Sequence, residues 1–89
     1  MNAYFISGLG ADQRIFSRLK LSEKISIIHV EWINPNKNET LEVYAERLSR
    51  IIDTSKPFAL VGVSFGGMIA VELAKLLKPL QLLLYPARY

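Results

Sequence analysis

One serine lies between glycines at a point where the character of the sequence changes. The segment Gly62-Val63-Ser64-Phe65-Gly66-Gly67 follows a short apolar run and precedes residues 68–77, which are rich in strong helix formers. A serine at the tip of a strand-to-helix turn has a cramped backbone, so the residues two before and two after it must be small. Such a turn presents the Ser64 hydroxyl for nucleophilic attack. A serine N-cap behind a glycine turn is the simpler alternative.

Other common chemistries find little support in the composition. The 89-residue chain has no cysteine, which excludes a disulfide, a thiolate metal site and a cysteine nucleophile. One histidine and scattered carboxylates do not give metal-ligand spacing, so we expect neither a metal nor a cofactor. The net charge is +3, but Lys and Arg alternate with Glu and Asp along the helical segments. That pattern is typical of a solvated surface, and we expect no nucleic-acid binding.

The elements that would position Ser64 alternate between strand and helix. Apolar runs predict four strands and helical spacing predicts the helices between them; the strands are 3–7, 25–32, 58–63 and 80–85, and the helices begin near Asp12, Leu41 and Met68. Short connections between alternating elements predict a parallel α/β sheet with helices on both faces. The glycine turn 8–10 and the turn at Ser64 both follow strands, so both lie at the carboxyl edge, where sites in such sheets occur. The second strand has a partly polar face, which is typical of an edge strand.

Two motifs together resemble the first part of an α/β-hydrolase of the small bacterial serine-hydrolase type. The segment 62–67 matches the nucleophile elbow of that family, and Phe5-Ile6-Ser7-Gly8-Leu9-Gly10-Ala11-Asp12 matches its oxyanion-hole loop. The resemblance implies a local strand order of 2-1-3-4 and hydrolysis of a small-molecule carboxylic ester or related acyl compound. It also implies that Ser64 is the nucleophile, that the backbone N–H groups of Leu9 and Phe65 form the oxyanion hole, and that Gly62, Gly66 and Gly67 are the elbow glycines.

The resemblance covers only part of such a fold. Residues 1–89 are interpreted as the N-terminal part of a single α/β-hydrolase domain, truncated after the strand that follows the nucleophile helix. Ser7 stands where many members have a histidine. In this fold the triad runs in the order Ser, Asp or Glu, His, yet only Glu72 and no histidine follows Ser64. His29, in mid-strand, is interpreted as a structural residue. We therefore expect the chain alone to be a poor catalyst.

Two alternatives come from other functional classes. In a dinucleotide-binding module, Gly8-Leu9-Gly10 would bind the phosphates and Glu31 the ribose, but Gln13 occupies the place of the third glycine. In a non-catalytic remnant, the chain would act as an interaction module, and its exposed last strand would allow self-association. The first residues do not resemble a signal peptide and no apolar run is long enough to span a bilayer, so we expect a cytoplasmic protein without membrane contact.

Overall fold

A parallel sheet with flanking helices forms the framework of the chain. The computed structural model describes residues 1–7 and 25–85. The strands are β1 (Asn2–Ser7), β2 (Ser26–His29), β3 (Phe58–Val63) and β4 (Gln81–Tyr85), and the helices are α1 (Leu41–Leu48) and α2 (Gly66–Leu77). The glycine turn at 8–10 and the helix predicted to begin near Asp12 lie outside the described residues.

The strand order is β2-β1-β3-β4 with every pair parallel, which confirms the predicted order 2-1-3-4 and the α/β class. In the described sheet β2 lies at one edge, as predicted, and β4 lies at the other. The central strands β1 and β3 are paired from Asn2↔Phe58 to Ser7↔Val63. Burial follows this order: β3 is buried along its whole length, whereas β2 is exposed along its whole length. Such continuous apolar runs are typical of a parallel strand covered on both faces.

Side chains of the central strands alternate between two apolar clusters. The larger cluster lies between the sheet and both described helices, which also pack against each other; its sheet residues are Tyr4, Ile6, Phe58 and Leu60, and its helix residues are Tyr44, Ala45, Leu48, Ile69, Ala70 and Leu73. The smaller cluster, on the opposite face, contains Ala3, Phe5, Ala59 and Val61. Both described helices therefore cover the same face of the sheet.

Local sequence sets the ends of the two helices. Thr40 is the N-cap of α1, and its Oγ1 accepts a hydrogen bond of 3.2 Å from the Val43 N–H. A 3₁₀ turn at Ser49–Ile51 follows α1. Helix α2 ends at Leu77, and its C-cap, Lys78, has a left-handed φ of 52° and donates from its N–H to the Ala74 carbonyl oxygen at 3.0 Å.

An ion pair fixes the loop between β2 and α1. The Glu39 carboxylate, with a side chain only 2% exposed, accepts from Arg47 Nη1 at 2.7 and 2.8 Å. It also accepts from the Asn36 N–H at 2.9 Å. The Arg47 hydrogen bond, followed by that from Asn36, lowers the pKa of Glu39 below its ordinary value of 4.5. Arg47 further donates to the Asn34 carbonyl oxygen, so one guanidinium joins both ends of the loop to α1.

The second strand ends earlier than the apolar pattern predicted. It stops at His29 rather than at Trp32. The Val30 N–H still donates to the Phe5 carbonyl oxygen at 2.9 Å, but the backbone of Ile33 binds the Tyr44 hydroxyl instead of β1. The chain therefore leaves the sheet toward α1 and α2. In the parts of the chain that the structure describes, the helices are all too short or too polar to cross a membrane.

Candidate active site

Ser64 lies in a sharp turn between β3 and α2. Its φ of 58° is in the left-handed region, which a non-glycine residue adopts at an energetic cost. The turn is held by hydrogen bonds on both sides: the Ser64 N–H donates to the Tyr85 carbonyl oxygen at 2.8 Å, and the Gly67 N–H donates to the Ser64 carbonyl oxygen at 2.9 Å. Ser64 is thus at the carboxyl end of a central strand, with a backbone conformation that the surrounding structure imposes.

Gly62 is required for the close approach of β3 to α2. A Cβ atom at this position would lie 2.6 Å from the Gly67 Cα, 2.8 Å from the Ala70 Cβ and 2.9 Å from the Gly66 carbonyl oxygen. Carbon atoms pack at about 3.5 to 4.0 Å, so no side chain fits without moving the helix. Gly67 differs, because a Cβ there would make an ordinary 3.6 Å contact with Leu84. Gly66 is buried and is the first residue of α2.

Phe65 joins Ser64 to the start of α2. Its φ and ψ of −58° and −31° are helical, and its side chain is 50% exposed. The first N–H groups of a helix lack partners within the helix, and in the described part of the chain no acceptor binds the Phe65 N–H. The Phe65 N–H lies at the end of a helix that favours negative charge.

The strand that leads to the other predicted donor ends beside the turn. Ser7, the last residue of β1, pairs with Val63, the residue before Ser64. The end of β1 therefore lies next to the turn that contains Ser64. Leu9 itself lies outside the described residues.

Neither candidate base contacts Ser64. His29 pairs with Phe5, which pairs with Val61, so His29 is level with Val61 and is separated from β3 by β1. Two strand spacings give about 9.5 Å across the sheet, and the distance from Val61 to Ser64 adds about 10 Å along it. Glu72 lies along α2 and accepts from Lys75 Nζ at 3.0 Å. Within residues 1–7 and 25–85, no group hydrogen-bonds the Ser64 hydroxyl.

Two contacts at this site were not anticipated from the sequence. The Trp32 ring stacks on Phe65, with centroids 5.7 Å apart and planes inclined by 21°. The Tyr85 carbonyl oxygen, at the end of β4, holds the Ser64 N–H. The sequence pattern placed Trp32 only at the end of the second predicted strand. Its place just after a strand, at the carboxyl edge, was the available signal. Among the described residues, there is no cluster of His, Asp and Glu that could hold a metal ion.

Comparison with known families agrees with this geometry. The family model described as Thioesterase domain matches residues 10–82 of the 89. The chain belongs to the thioesterase domain family. This family lies within the α/β-hydrolase superfamily, so the resemblance inferred from the two glycine motifs is confirmed. At the level of the family, the match indicates a hydrolase acting on acyl esters or thioesters. No curated protein matches the chain.

Proposed function

We propose that this thioesterase-domain chain hydrolyses acyl thioesters or related esters, with Ser64 as the nucleophile. The Ser64 Oγ attacks the acyl carbonyl carbon and forms a tetrahedral intermediate. The carbon–sulfur bond then breaks, the departing thiolate takes up the proton that the Ser64 hydroxyl gave to the base, and the acyl group remains on the serine. Water completes the cycle by releasing the carboxylic acid and restoring the hydroxyl.

The single observation that supports this role best is the left-handed backbone of Ser64. Strained conformations of non-glycine residues cost about 1 to 3 kcal/mol and cluster at functional sites. A serine used only as an N-cap would have an extended backbone and would accept from an N–H of the following helix. Ser64 differs on both points: its φ is 58°, and among the described residues its side-chain oxygen accepts no hydrogen bond from an N–H of α2, whose N-cap is Phe65.

The proposed oxyanion hole consists of two backbone N–H groups, those of Phe65 and Leu9. The Phe65 N–H lacks an acceptor among the described residues, and the strand leading to Leu9 ends beside Val63. A donor aimed at the developing oxyanion contributes about 2.7 to 4 kcal/mol to lowering the barrier. Backbone donors also explain why two apolar residues, Leu and Phe, occupy these positions.

The general base is proposed to lie outside these 89 residues, in the remainder of the α/β-hydrolase domain. No histidine follows Ser64 in the sequence, and His29 is too far across the sheet to take the hydroxyl proton. Residues 1–89 then supply the nucleophile and the oxyanion donors, while Asp and His come from elsewhere. Without a base, the oxyanion hole and substrate binding leave an acceleration of about 10³ to 10⁴-fold over water.

The dinucleotide-binding alternative agrees less well with the fold. In the common dinucleotide-binding order 3-2-1-4, the third strand lies outside the second. Here β3 lies beside β1 instead. Glu31, the proposed ribose ligand, is exposed and lies beyond the end of β2. The strand order therefore favours the hydrolase.

The experiment measures thiol release from a short activated thioester, with and without imidazole as an external base. Because the chain has no cysteine, the protein adds no thiol background to a disulfide-based colour assay. We expect slow hydrolysis by the parent chain that increases linearly with imidazole. The Ser64→Ala variant gives the background reaction of imidazole alone.

Two results would contradict the proposal. If the parent and Ser64→Ala hydrolyse the thioester at the same rate at every imidazole concentration, Ser64 is not the nucleophile and the non-catalytic interaction module becomes the better interpretation. If the parent instead turns over at ordinary enzyme rates without imidazole, the 89 residues contain a base. A His29→Gln variant then tests whether His29 supplies it.

A further inference from the structure

Three aromatic side chains connect α1 to the nucleophile turn. Tyr44 of α1 lies against Trp32, with ring centroids 6.1 Å apart, and Trp32 stacks on Phe65 at 5.7 Å. We call Tyr44, Trp32 and Phe65 the aromatic brace. The angle of 21° between the last two rings is close to parallel, which is a favourable offset geometry at this distance.

The buried end of the aromatic brace is fixed by hydrogen bonds. Tyr44 is 6% exposed, and its hydroxyl donates to the Ile33 carbonyl oxygen at 2.8 Å and accepts from the Ile33 N–H at 3.1 Å. These two bonds hold the backbone immediately after Trp32. Trp32 is partly buried and packs against the main apolar cluster. The brace therefore begins on a rigid helix and ends on a half-exposed ring beside Ser64.

We infer that Trp32 is a positioning residue for the oxyanion hole: by stacking on Phe65, it fixes the rotation of that residue and so the direction of its N–H. This inference rests on the proposed function of Ser64. Trp32 would not contact the reacting atoms itself. It would act through the Phe65 side chain, whose backbone N–H is the proposed donor.

The physical link between ring and N–H is short. Phe65 is the N-cap of α2, so its N–H is not held by a helical hydrogen bond, and half of its ring faces solvent. The ring is joined to the backbone through Cβ and Cα, and holding it limits rotation about the N–Cα bond. A donor gains its effect from alignment with the position of the oxyanion, so a loss of this restraint weakens catalysis without removing any reacting group.

The test measures the rate at which a fluorophosphonate modifies Ser64, followed by intact mass in an imidazole buffer. In this reaction the Ser64 oxygen forms a bond to phosphorus, the phosphorus–fluorine bond breaks, fluoride leaves, and imidazole takes the hydroxyl proton. The charge that develops on the phosphoryl oxygen is directed to the oxyanion hole. Ser64→Ala is the blank.

The variants separate positioning from general stability. Trp32→Leu removes the stacked ring, Trp32→Tyr keeps a ring, and Phe65→Leu removes the partner ring while it preserves the backbone N–H. Leu80→Ala is the matched apolar control, since Leu80 is 68% exposed and lies beside Phe58 at the opposite end of β3. Circular dichroism establishes that each variant is folded.

We expect Trp32→Leu and Phe65→Leu each to slow modification about tenfold, since a misplacement of about 1 Å costs up to 10²-fold. Trp32→Tyr and Leu80→Ala should be modified at rates within about twofold of the parent rate. A factor of about two is the usual deviation from additivity for independent sites. The double variant Trp32→Leu/Phe65→Leu should be no slower than either single variant, because both changes remove the same contact.

Three results would overturn the inference. In the first, Trp32→Leu is modified at a rate within about twofold of the parent. In the second, the decrease in rate of the double variant equals the product of the two single decreases. In the third, Trp32→Tyr is modified as slowly as Trp32→Leu. If Trp32→Leu does not fold, Phe65→Leu decides instead, because that ring is half exposed. An unchanged rate in Phe65→Leu then refutes the positioning role.

A second measurement separates this inference from the proposed function. The three-bond coupling between the amide and α protons of Phe65 reports its φ, which is −58° in the fixed state. Loss of the stack should raise this coupling toward the averaged value of a mobile residue. If Ser64 is never modified but the coupling rises in Trp32→Leu, the proposed function fails and the restraint is real. If the coupling is unchanged, the positioning role fails.

Discussion

The close contact between β3 and α2 at Gly62 makes a quantitative prediction. A methyl group at this position would lie 2.6 Å from the Gly67 Cα and 2.9 Å from the Gly66 carbonyl oxygen, both of which are backbone atoms. The helix would have to move by about 1 Å to reach ordinary contact. Overpacking of this kind costs about 1 to 3 kcal/mol. Replacing glycine also restricts the unfolded chain, and this effect raises the free energy of unfolding by about 0.4 to 1 kcal/mol.

We therefore expect Gly62→Ala to lower the free energy of unfolding by about 1 to 2 kcal/mol, and Gly62→Val to lower it further. For a domain of this size the Ala variant corresponds to a decrease in Tm of about 5 to 15 °C. Thermal and urea unfolding, followed by circular dichroism, measure both quantities. A chain of this length has modest stability, so the Val variant is expected to be largely unfolded.

Gly67→Ala is the matched control for this experiment. The added methyl group would lie 3.6 Å from Leu84 Cδ2, and the residue is helical, where alanine is favoured over glycine by about 0.5 to 1 kcal/mol. Gly67→Ala should be as stable as the parent or slightly more stable. The reasoning is refuted if Gly62→Ala is as stable as the parent, or if Gly67→Ala has a lower free energy of unfolding than Gly62→Ala.

Three further predictions concern the strained serine, the loop ion pair and the aromatic brace. Ser64→Gly should be about 0.5 to 1 kcal/mol more stable than Ser64→Ala by urea unfolding, because only glycine adopts φ of 58° without strain; equal stabilities would argue against strain. The pKa of Glu39 is below 4.5 in the folded chain, so its ionised form stabilises the fold. This contribution to the free energy of unfolding is present above pH 4.5 and is lost as the pH falls through the lowered pKa. The urea midpoints of the parent and Glu39→Gln should therefore differ most near pH 7 and converge in acid, and a constant difference would exclude this cause. Tyr44→Phe should lower the free energy of unfolding by about 1 to 3 kcal/mol, because it leaves the N–H and the carbonyl oxygen of Ile33 without their partner. A decrease below about 0.5 kcal/mol, measured by thermal unfolding, would show that other groups replace the hydroxyl.

The sequence predicted the features of the fold that local chemistry controls. Gly62 and the apolar run before it indicated a strand entering a tight turn, and the structure shows the contact that makes Gly62 necessary. The alternation of strands and helices predicted the parallel sheet, and the resemblance to α/β-hydrolases implied its strand order. The left-handed φ of Ser64 agrees with the cramped backbone expected from the glycine spacing. The catalytic role of Ser64 stays a prediction, as does that of Leu9, which lies outside the described residues.

Contacts between residues distant in sequence could not be predicted in this way. The stack of Trp32 on Phe65 depends on how the segment after β2 crosses to α2, and no periodicity specifies that path. The early end of β2 has the same origin, because the Tyr44 hydroxyl binds the Ile33 backbone. Tyr44 is buried and Trp32 is partly buried, but the sequence pattern around either residue gives no indication of its partner.

The hydrogen bond from the Ser64 N–H to the Tyr85 carbonyl oxygen has a consequence for the order of folding. Strand β4 is joined to β3 through α2, so this bond closes a long loop and forms only when β4 has docked. During synthesis from the amino terminus, β1, β2 and β3 emerge before the residue that holds the serine. The turn at Ser64 should thus be among the last parts of the sheet to reach its final geometry. A nascent chain that ends before Gln81 would carry the complete Gly-x-Ser-x-Gly sequence without the support for its strained backbone.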